Sequence, residues 1–165
     1  ETAEEIVRMV GLGALKYFIL KVDPKKNMTF NPQESIDFNG NTGPFIQYTH
    51  ARVQSILRNA AERGIKTTGE IAPSVVLSEK EEGLVQLLTE FETVIKQAGT
   101  EYNVSLIANY IYDLVKEYNQ FYHDHPILRE EDENIRLFRI LLSKNIALTI
   151  KKGMNLLGID VPDRM

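Results

Sequence analysis

Helical periodicity bounded by helix caps is the feature that most limits what this chain can fold into. Thr2 with Glu5, and Ser78 with Glu81, each form a capping box, a pairing that satisfies two free backbone N–H groups of a first helical turn. Between such starts, apolar residues recur three and four positions apart, which is the spacing of one helix face. Glycine or proline follows the last four segments of this kind. The pattern predicts helices over residues 2–22, 44–63, 78–98, 104–123 and 131–157.

The segments between these helices contain little that predicts a sheet. Residues 23–43 carry two turn signals, Asp23-Pro24 and Asn31-Pro32. Met28–Phe30 and Ser35–Phe38 could pair as two short strands. We therefore predict an all-α fold, a bundle of four long helices plus the N-terminal one, with a short irregular or two-stranded segment near residues 28–38.

Composition argues against several classes of function. Cysteine is absent, which excludes disulfides, thiolate zinc sites and cysteine nucleophiles. Only three histidines occur, so no metal site is predicted. His50 falls at the edge of a core stripe, where a structural histidine is a better interpretation than a general base. No nucleophile motif is present, and we predict no catalytic residue in this chain.

Charge is distributed unevenly along the chain. The net charge is −4, but both ends are basic and the middle is strongly acidic. The two ends could meet in space as a basic surface, which would favour a polyanionic partner. Alternatively the charges belong to ordinary solvated helix faces, and on charge alone this second interpretation is favoured. No apolar run is long enough to predict a membrane span.

The helix over residues 44–63 has two distinct faces. Its second face carries two aromatic rings, an arginine and an asparagine where lysine and glutamate would be usual. Rings and guanidinium planes stack on unpaired bases, and Asn and Ser read base edges. A second packing surface explains the pattern equally well, so geometry leaves both open. The core stripe is Ile46, Thr49, Val53, Ile56, Leu57 and Ala60, and the second face is Phe45, Tyr48, Arg52, Ser55 and Asn59.

Two later helices add further candidates. Periodicity places Tyr122 on the core stripe of residues 104–123, although a ring cluster at a helix end could also be a stacking platform. In residues 131–157 the outward positions include Arg139 and three lysines (Lys144, Lys151, Lys152). Lys151 and Lys152 either complement the helix dipole or contact phosphates. Gly153 predicts a close approach of two helices, and the acidic run 130–133 predicts a solvated helix start.

Four segments, in order, resemble arginyl-tRNA synthetases: residues 10–20, 38–60, 110–128 and 134–165, including the final Arg-Met. The resemblance covers essentially the whole chain. The helical anticodon-binding domain of that family is named for an Asp-Ala-Leu-Arg motif. This motif is not intact here, and the sequence at the corresponding place includes Asn134-Ile135-Arg136. The resemblance implies that residues 1–43 are the end of a catalytic region and a junction, and that residues 44–165 are the anticodon-binding domain.

The same resemblance implies an enzyme, arginine–tRNA ligase, that joins arginine to its tRNA using ATP with magnesium. The ATP-site signatures of the family are absent, because they lie upstream of residue 1. The chain alone is therefore expected to be inactive, to hold no cofactor, and to act with a missing N-terminal catalytic region. The implied partner is the anticodon loop of arginine tRNA. The resemblance implies a cytoplasmic protein that does not act at a membrane. Family positions that contact this loop correspond to Phe45, Tyr48, Arg52, Tyr122 and Met165.

Two alternative interpretations stay open. The chain could be a non-enzymatic helical protein-interaction module, with the face of Phe45, Tyr48 and Arg52 serving a protein partner. It could also be the equivalent domain of another class I synthetase. Residue 1 is Glu rather than Met, which favours a fragment or a processed product.

Overall fold

Six helices make up the regular structure of the protein in a computed structural model that describes residues 2–165. No strand occurs among these residues, so the predicted all-α class is confirmed. None of the helices over this range has the length and apolar character needed to cross a membrane. The helices are α1 (Ala3–Leu20), α2 (Pro32–Ser35), α3 (Gly43–Glu62), α4 (Glu79–Glu101), α5 (Ser105–Asp124) and α6 (Glu133–Leu156).

The predicted starts of α1, α3 and α4 are confirmed in atomic detail, whereas α6 begins at Glu133, two residues after the predicted start, with Asp132 as its cap. Both capping boxes form, with the N–H groups of Thr2 and Ser78 each donating to a glutamate carboxylate at 2.7 Å. Thr42 caps α3 by accepting from the N–H of Phe45. One predicted end is wrong, because α4 continues through Gly99 to Glu101 and is capped by Tyr102, which takes the left-handed conformation with φ 53°.

The segment between α1 and α3 takes the irregular alternative. The two strands considered for Met28–Phe30 and Ser35–Phe38 do not form. Instead Asn31 caps the short helix α2 by accepting from the N–H groups of Gln33 and Glu34. Asn followed by Pro is a favoured start for a helical turn, and this preference interrupts the extended run.

The core lies between α3, α5 and α6, with α4 packed on α5 and α1 packed on α3. Tyr122 does not belong to this core, contrary to the periodicity prediction, since it is 39% exposed. The buried stripe of α5 alternates steps of four and three, and after Tyr118 the next step ends on Phe121. Tyr122 therefore falls at the edge of the stripe. The buried stripe is Ile107, Ile111, Leu114, Tyr118 and Phe121.

Helices α1 and α3 touch backbone to backbone. A Cβ atom on Gly43 would lie 2.5 Å from the carbonyl oxygen of Gly13, and one on Gly13 would lie 2.5 Å from the side-chain nitrogen of Gln47. Beside this crossing, the buried hydroxyl of Tyr17 donates to the carbonyl of Ala108 at 2.8 Å. It also lies 2.6 Å from the side-chain oxygen of Asn41. The crossing fixes α1 against the same end of α3 that carries Phe45.

Arg139 is buried, which corrects the prediction that it faces outward. Its Nε donates to Glu81 at 2.7 Å and its Nη1 donates to Glu130 at 2.6 Å. Glu130, expected to be solvated, is accordingly only partly exposed. The periodicity of α6 does not predict the burial of Arg139, because the helix that covers it is α4, which is distant in sequence.

Gly153 occupies the close approach that the sequence predicts. A Cβ atom there would lie 2.4 Å from Cδ1 of Ile111, so Gly153→Ala is expected to lower the free energy of unfolding by about 1–3 kcal/mol through overpacking. Gly99→Ala is the matched control, because nothing lies within 4 Å of its added Cβ in the last turn of α4. That control should raise stability by up to about 1 kcal/mol. Urea unfolding checks both, and equal effects of the two substitutions would contradict the close approach.

Candidate nucleic-acid interface

Arg52 lies between two exposed tyrosine rings. Its guanidinium carbon is 4.9 Å from the ring centroid of Tyr48 and 4.9 Å from that of Tyr122. Tyr48 is 42% exposed and Tyr122 is 39% exposed. These three side chains, here called the Arg52 stack, join α3 to the end of α5. The tyrosine that periodicity assigned to the core is therefore part of the same surface as the second face of α3.

Hydrogen bonds from the interior hold the arginine in place. Nη1 of Arg52 donates to the side-chain oxygen of Asn119. The amide nitrogen of Asn119 in turn donates to Thr49 Oγ1 and to the carbonyl of Val115, both at 2.9 Å. Connected polar groups of this kind fix a side chain before any ligand arrives. Asn119 was not predicted, and an asparagine beside a core stripe carries no sequence signal for this role.

Two grooves meet at the Arg52 stack. The first, here called the α1 groove, has a volume of about 700 Å³ and is almost entirely apolar. Phe38 and the α1 side chains Ile6, Val7 and Val10 line it, together with Tyr48. Phe38 packs edge-on against Tyr48, with ring centroids 6.3 Å apart. A flat apolar ring of the size of a base fits the chemistry of such a lining.

The second groove, here called the tail groove, has a volume of about 580 Å³ and is more polar. It runs from Met165 past Tyr48 and Tyr122 toward Ser55. Arg52, Arg58 and Arg164 line it against a single carboxylate, Glu62. Stacking rings next to several guanidinium groups are the combination that single-stranded nucleic acid requires.

Buried polar side chains of α3 anchor the C-terminal segment that completes these grooves. Nδ1 of His50 lies 2.9 Å from the carbonyl of Pro162, so this nitrogen carries the proton. Gln47 donates to the carbonyl of Asp160 at 2.8 Å, and Arg58 donates to that of Asp163 at 3.0 Å. His50 thus has the structural role expected from the sequence, whereas the role of Gln47 was missed.

The five residues singled out from the sequence lie close together but differ in exposure. Met165 is 43% exposed and lines both grooves. Phe45 is only partly buried, lines the α1 groove, and packs against Tyr112 at 6.0 Å.

Lys151 and Lys152 are exposed on α6 and line neither groove. Phosphate contact by these two lysines therefore gains no support from the geometry of the grooves.

The chemistry of this surface is stacking and hydrogen bonding. Burial raises the pKa of Tyr118, whose ring lies beside Tyr122 with centroids 6.4 Å apart, so its hydroxyl stays protonated. Over residues 2–165 no group of three or more histidine, aspartate or glutamate side chains is arranged to hold a metal ion. The arrangement suits recognition of a negatively charged polymer that carries unpaired, planar bases.

Comparison with known proteins places this architecture in a class. The family profile of the DALR anticodon binding domain matches residues 46–165. The chain belongs to this family of helical anticodon-binding domains. Its similarity within the family is to arginine–tRNA ligases: it is 67% identical over all 165 residues to the arginine–tRNA ligase of Bacteroides thetaiotaomicron, and 60% identical to that of Porphyromonas gingivalis. The chain spans 28% of the length of each of these relatives.

Solved structures agree with this placement. The arginyl-tRNA synthetase of Thermus thermophilus superposes with a TM-score of 0.91 at 34% identity, over 100% of this chain and 28% of that one. The arginyl-tRNA synthetase of Plasmodium falciparum superposes with a TM-score of 0.81 at 24% identity, over 98% of this chain and 28% of that one, a likeness of fold alone.

Proposed function

We propose that this chain is the anticodon-reading part of an arginine–tRNA ligase, and that the Arg52 stack with Phe45 and Met165 contacts the anticodon loop of arginine tRNA. The observation that carries the proposal is the guanidinium held between two exposed rings. Packing alone does not require this arrangement, because Tyr48 and Tyr122 stay 42% and 39% exposed although both lie against the guanidinium. Unpaired bases stack on such planes, each worth about 1–3 kcal/mol.

The catalytic step belongs, in this proposal, to a region outside residues 1–165. ATP, magnesium and arginine would bind there, and the whole enzyme would work in the cytoplasm. Residues 1–43 would be the end of the catalytic region and the junction, and residues 44–165 the anticodon-binding domain. The apolar side chains that α1 leaves uncovered support a junction, since Val7 is 72% exposed and Ile19 48% exposed.

Binding of RNA stem-loops to the purified chain tests the proposal. A stem-loop with an arginine anticodon should bind more tightly than the same stem with a scrambled loop, because bases as well as phosphates contribute. Fluorescence anisotropy at several salt concentrations measures both affinities. Equal binding of the two loops would contradict anticodon reading, and a preference for another amino acid's anticodon would indicate a different class I synthetase.

The α1 groove favours one other candidate, a helical module that binds a protein partner. Its large apolar lining is also what a docking helix requires. This alternative predicts no binding to any of the stem-loops, whereas phosphate contacts predict binding that weakens steeply with salt.

A further inference from the structure

A third groove continues the interface beyond the Arg52 stack. It has a volume of about 570 Å³ and lies between the end of α3 and the turn that follows α5. Asn59, Arg63, Tyr122, His125 and Arg129 are among the residues that line it, and we call it the His125 groove. Tyr122 lines both this groove and the tail groove, so the two grooves are neighbours on the surface.

The His125 groove differs from the α1 groove in chemistry. Its lining is mostly polar and includes His125, whose ring stacks on Phe121 with centroids 5.1 Å apart. Arg63 and Arg129 are exposed and form no ion pair or side-chain hydrogen bond within the described residues. Two free guanidinium groups beside a stacking ring are suited to phosphate oxygens rather than to an apolar ligand.

The single carboxylate in this groove does not cancel the positive charge. Asp124 is already paired with Lys80 and with His123. Hydrogen bonds from His123 and Lys80 lower its pKa to about 2, so the carboxylate is ionised and its charge is paired with that of Lys80. The guanidinium groups of Arg63 and Arg129 are left as the unneutralised charges of the groove.

The spacing along α3 fits a strand that passes the Arg52 stack. Arg52, Asn59 and Arg63 are separated by seven and four residues, so they lie on one side of the helix. At about 1.5 Å per residue, Arg63 is about 16 Å along the axis from Arg52. An RNA strand whose bases stack at Tyr122 therefore reaches the His125 groove within a few nucleotides.

We propose that the His125 groove binds the phosphodiester backbone of the RNA strand that leaves the Arg52 stack, with Arg63 and Arg129 as the phosphate ligands. This proposal rests on RNA being the ligand, but not on which anticodon is read. A contact to phosphate positions the strand without reading its sequence. Its signature is therefore a loss of affinity that is the same for every loop sequence, and a smaller dependence on salt.

The test uses Arg63→Gln, Arg129→Gln and the double substitution in the purified chain, with the arginine stem-loop and its scrambled-loop version. Each single change should weaken binding to both RNAs by about two- to fivefold, the effect of one exposed charge pair. Each should also reduce the slope of log affinity against log salt by roughly 0.7, the value for one phosphate on a single strand. Lys96→Gln is the control, since it removes one exposed positive charge far along α4. It should leave the slope unchanged.

Two results would contradict phosphate binding by the His125 groove. One is a salt slope of the double variant equal to that of the unmodified chain, and the other is a loss of affinity confined to the arginine stem-loop. The second result would mean that these arginines read bases. Failure of anticodon reading looks different, because the two RNAs would then bind equally well while both arginine variants still lowered the slope. Thermal melting of each variant checks that the fold is retained.

Discussion

Arg52→Ala is expected to weaken binding of the arginine stem-loop by about tenfold or more. Removing the guanidinium opens the space between Tyr48 and Tyr122 and leaves the side-chain oxygen of Asn119 without its donor. One stacked base contributes about 1–3 kcal/mol, and about 1.4 kcal/mol corresponds to a tenfold change in affinity. Anisotropy titration of the purified chain measures the loss. The scrambled loop should lose less, because its bases are not matched to the surface.

Two further variants separate stacking from charge. Arg52→Lys keeps the positive charge but not the planar group, so it should recover little of the lost affinity. Full recovery would mean that the site acts only as a point charge. Tyr102→Ala is the matched control for an exposed ring, because Tyr102 is 89% exposed at the junction of α4 and α5 and lines none of the three grooves. It should bind both RNAs as the unmodified chain does.

The sequence was sufficient to predict the helices and the residues that share the second face of α3. Capping boxes and apolar spacing are local signals, and local hydrogen bonds decide where α1 and α4 begin. The two faces of α3 are equally local, which is why Tyr48 and Arg52 were found together. The resemblance then supplied Tyr122 and Met165, which α3 alone could not indicate.

What the sequence could not show depends on contacts between distant segments. Periodicity assigns Tyr122 to the buried stripe of α5, but the buried residue is Phe121, one position earlier. Which residues of α5 are buried depends on the helices packed against it and not only on ideal helical spacing. Asn119 meets Arg52 only after α5 packs on α3, and Gln47 meets Asp160 only after the last segment folds back. The free arginines of the His125 groove come from two segments 66 positions apart in sequence, Arg63 and Arg129.

Arg139→Met is expected to cause the largest loss of stability, about 3–5 kcal/mol, because it leaves the buried carboxylate of Glu81 without its partner. Domains of this size are stable by about 5–15 kcal/mol, so this loss is a large fraction of the free energy of unfolding. Arg136→Met, one turn away, is the control. Arg136 is partly buried and also donates to the carbonyl of Glu130, but its ionic partner Glu133, at 3.6 Å, is exposed, so no buried carboxylate is left behind. Exposed pairs contribute up to about 1 kcal/mol. Urea unfolding at neutral pH compares the two.

The pH dependence identifies Glu81 as the cause. Burial alone would raise the pKa of Glu81, but hydrogen bonds from Arg139 and Ser78 outweigh it and hold the pKa below the ordinary value of 4.5. A depressed pKa contributes stability above the unfolded-state value, and this contribution is lost as pH falls through the folded-state value. In Arg139→Met the pKa of Glu81 rises, so protonation relieves the buried charge. The stability gap between the two proteins should therefore narrow as pH falls from 7 toward 4. Glu81→Gln added to Arg139→Met should recover part of the loss at neutral pH, and a gap that is constant with pH would rule out the carboxylate.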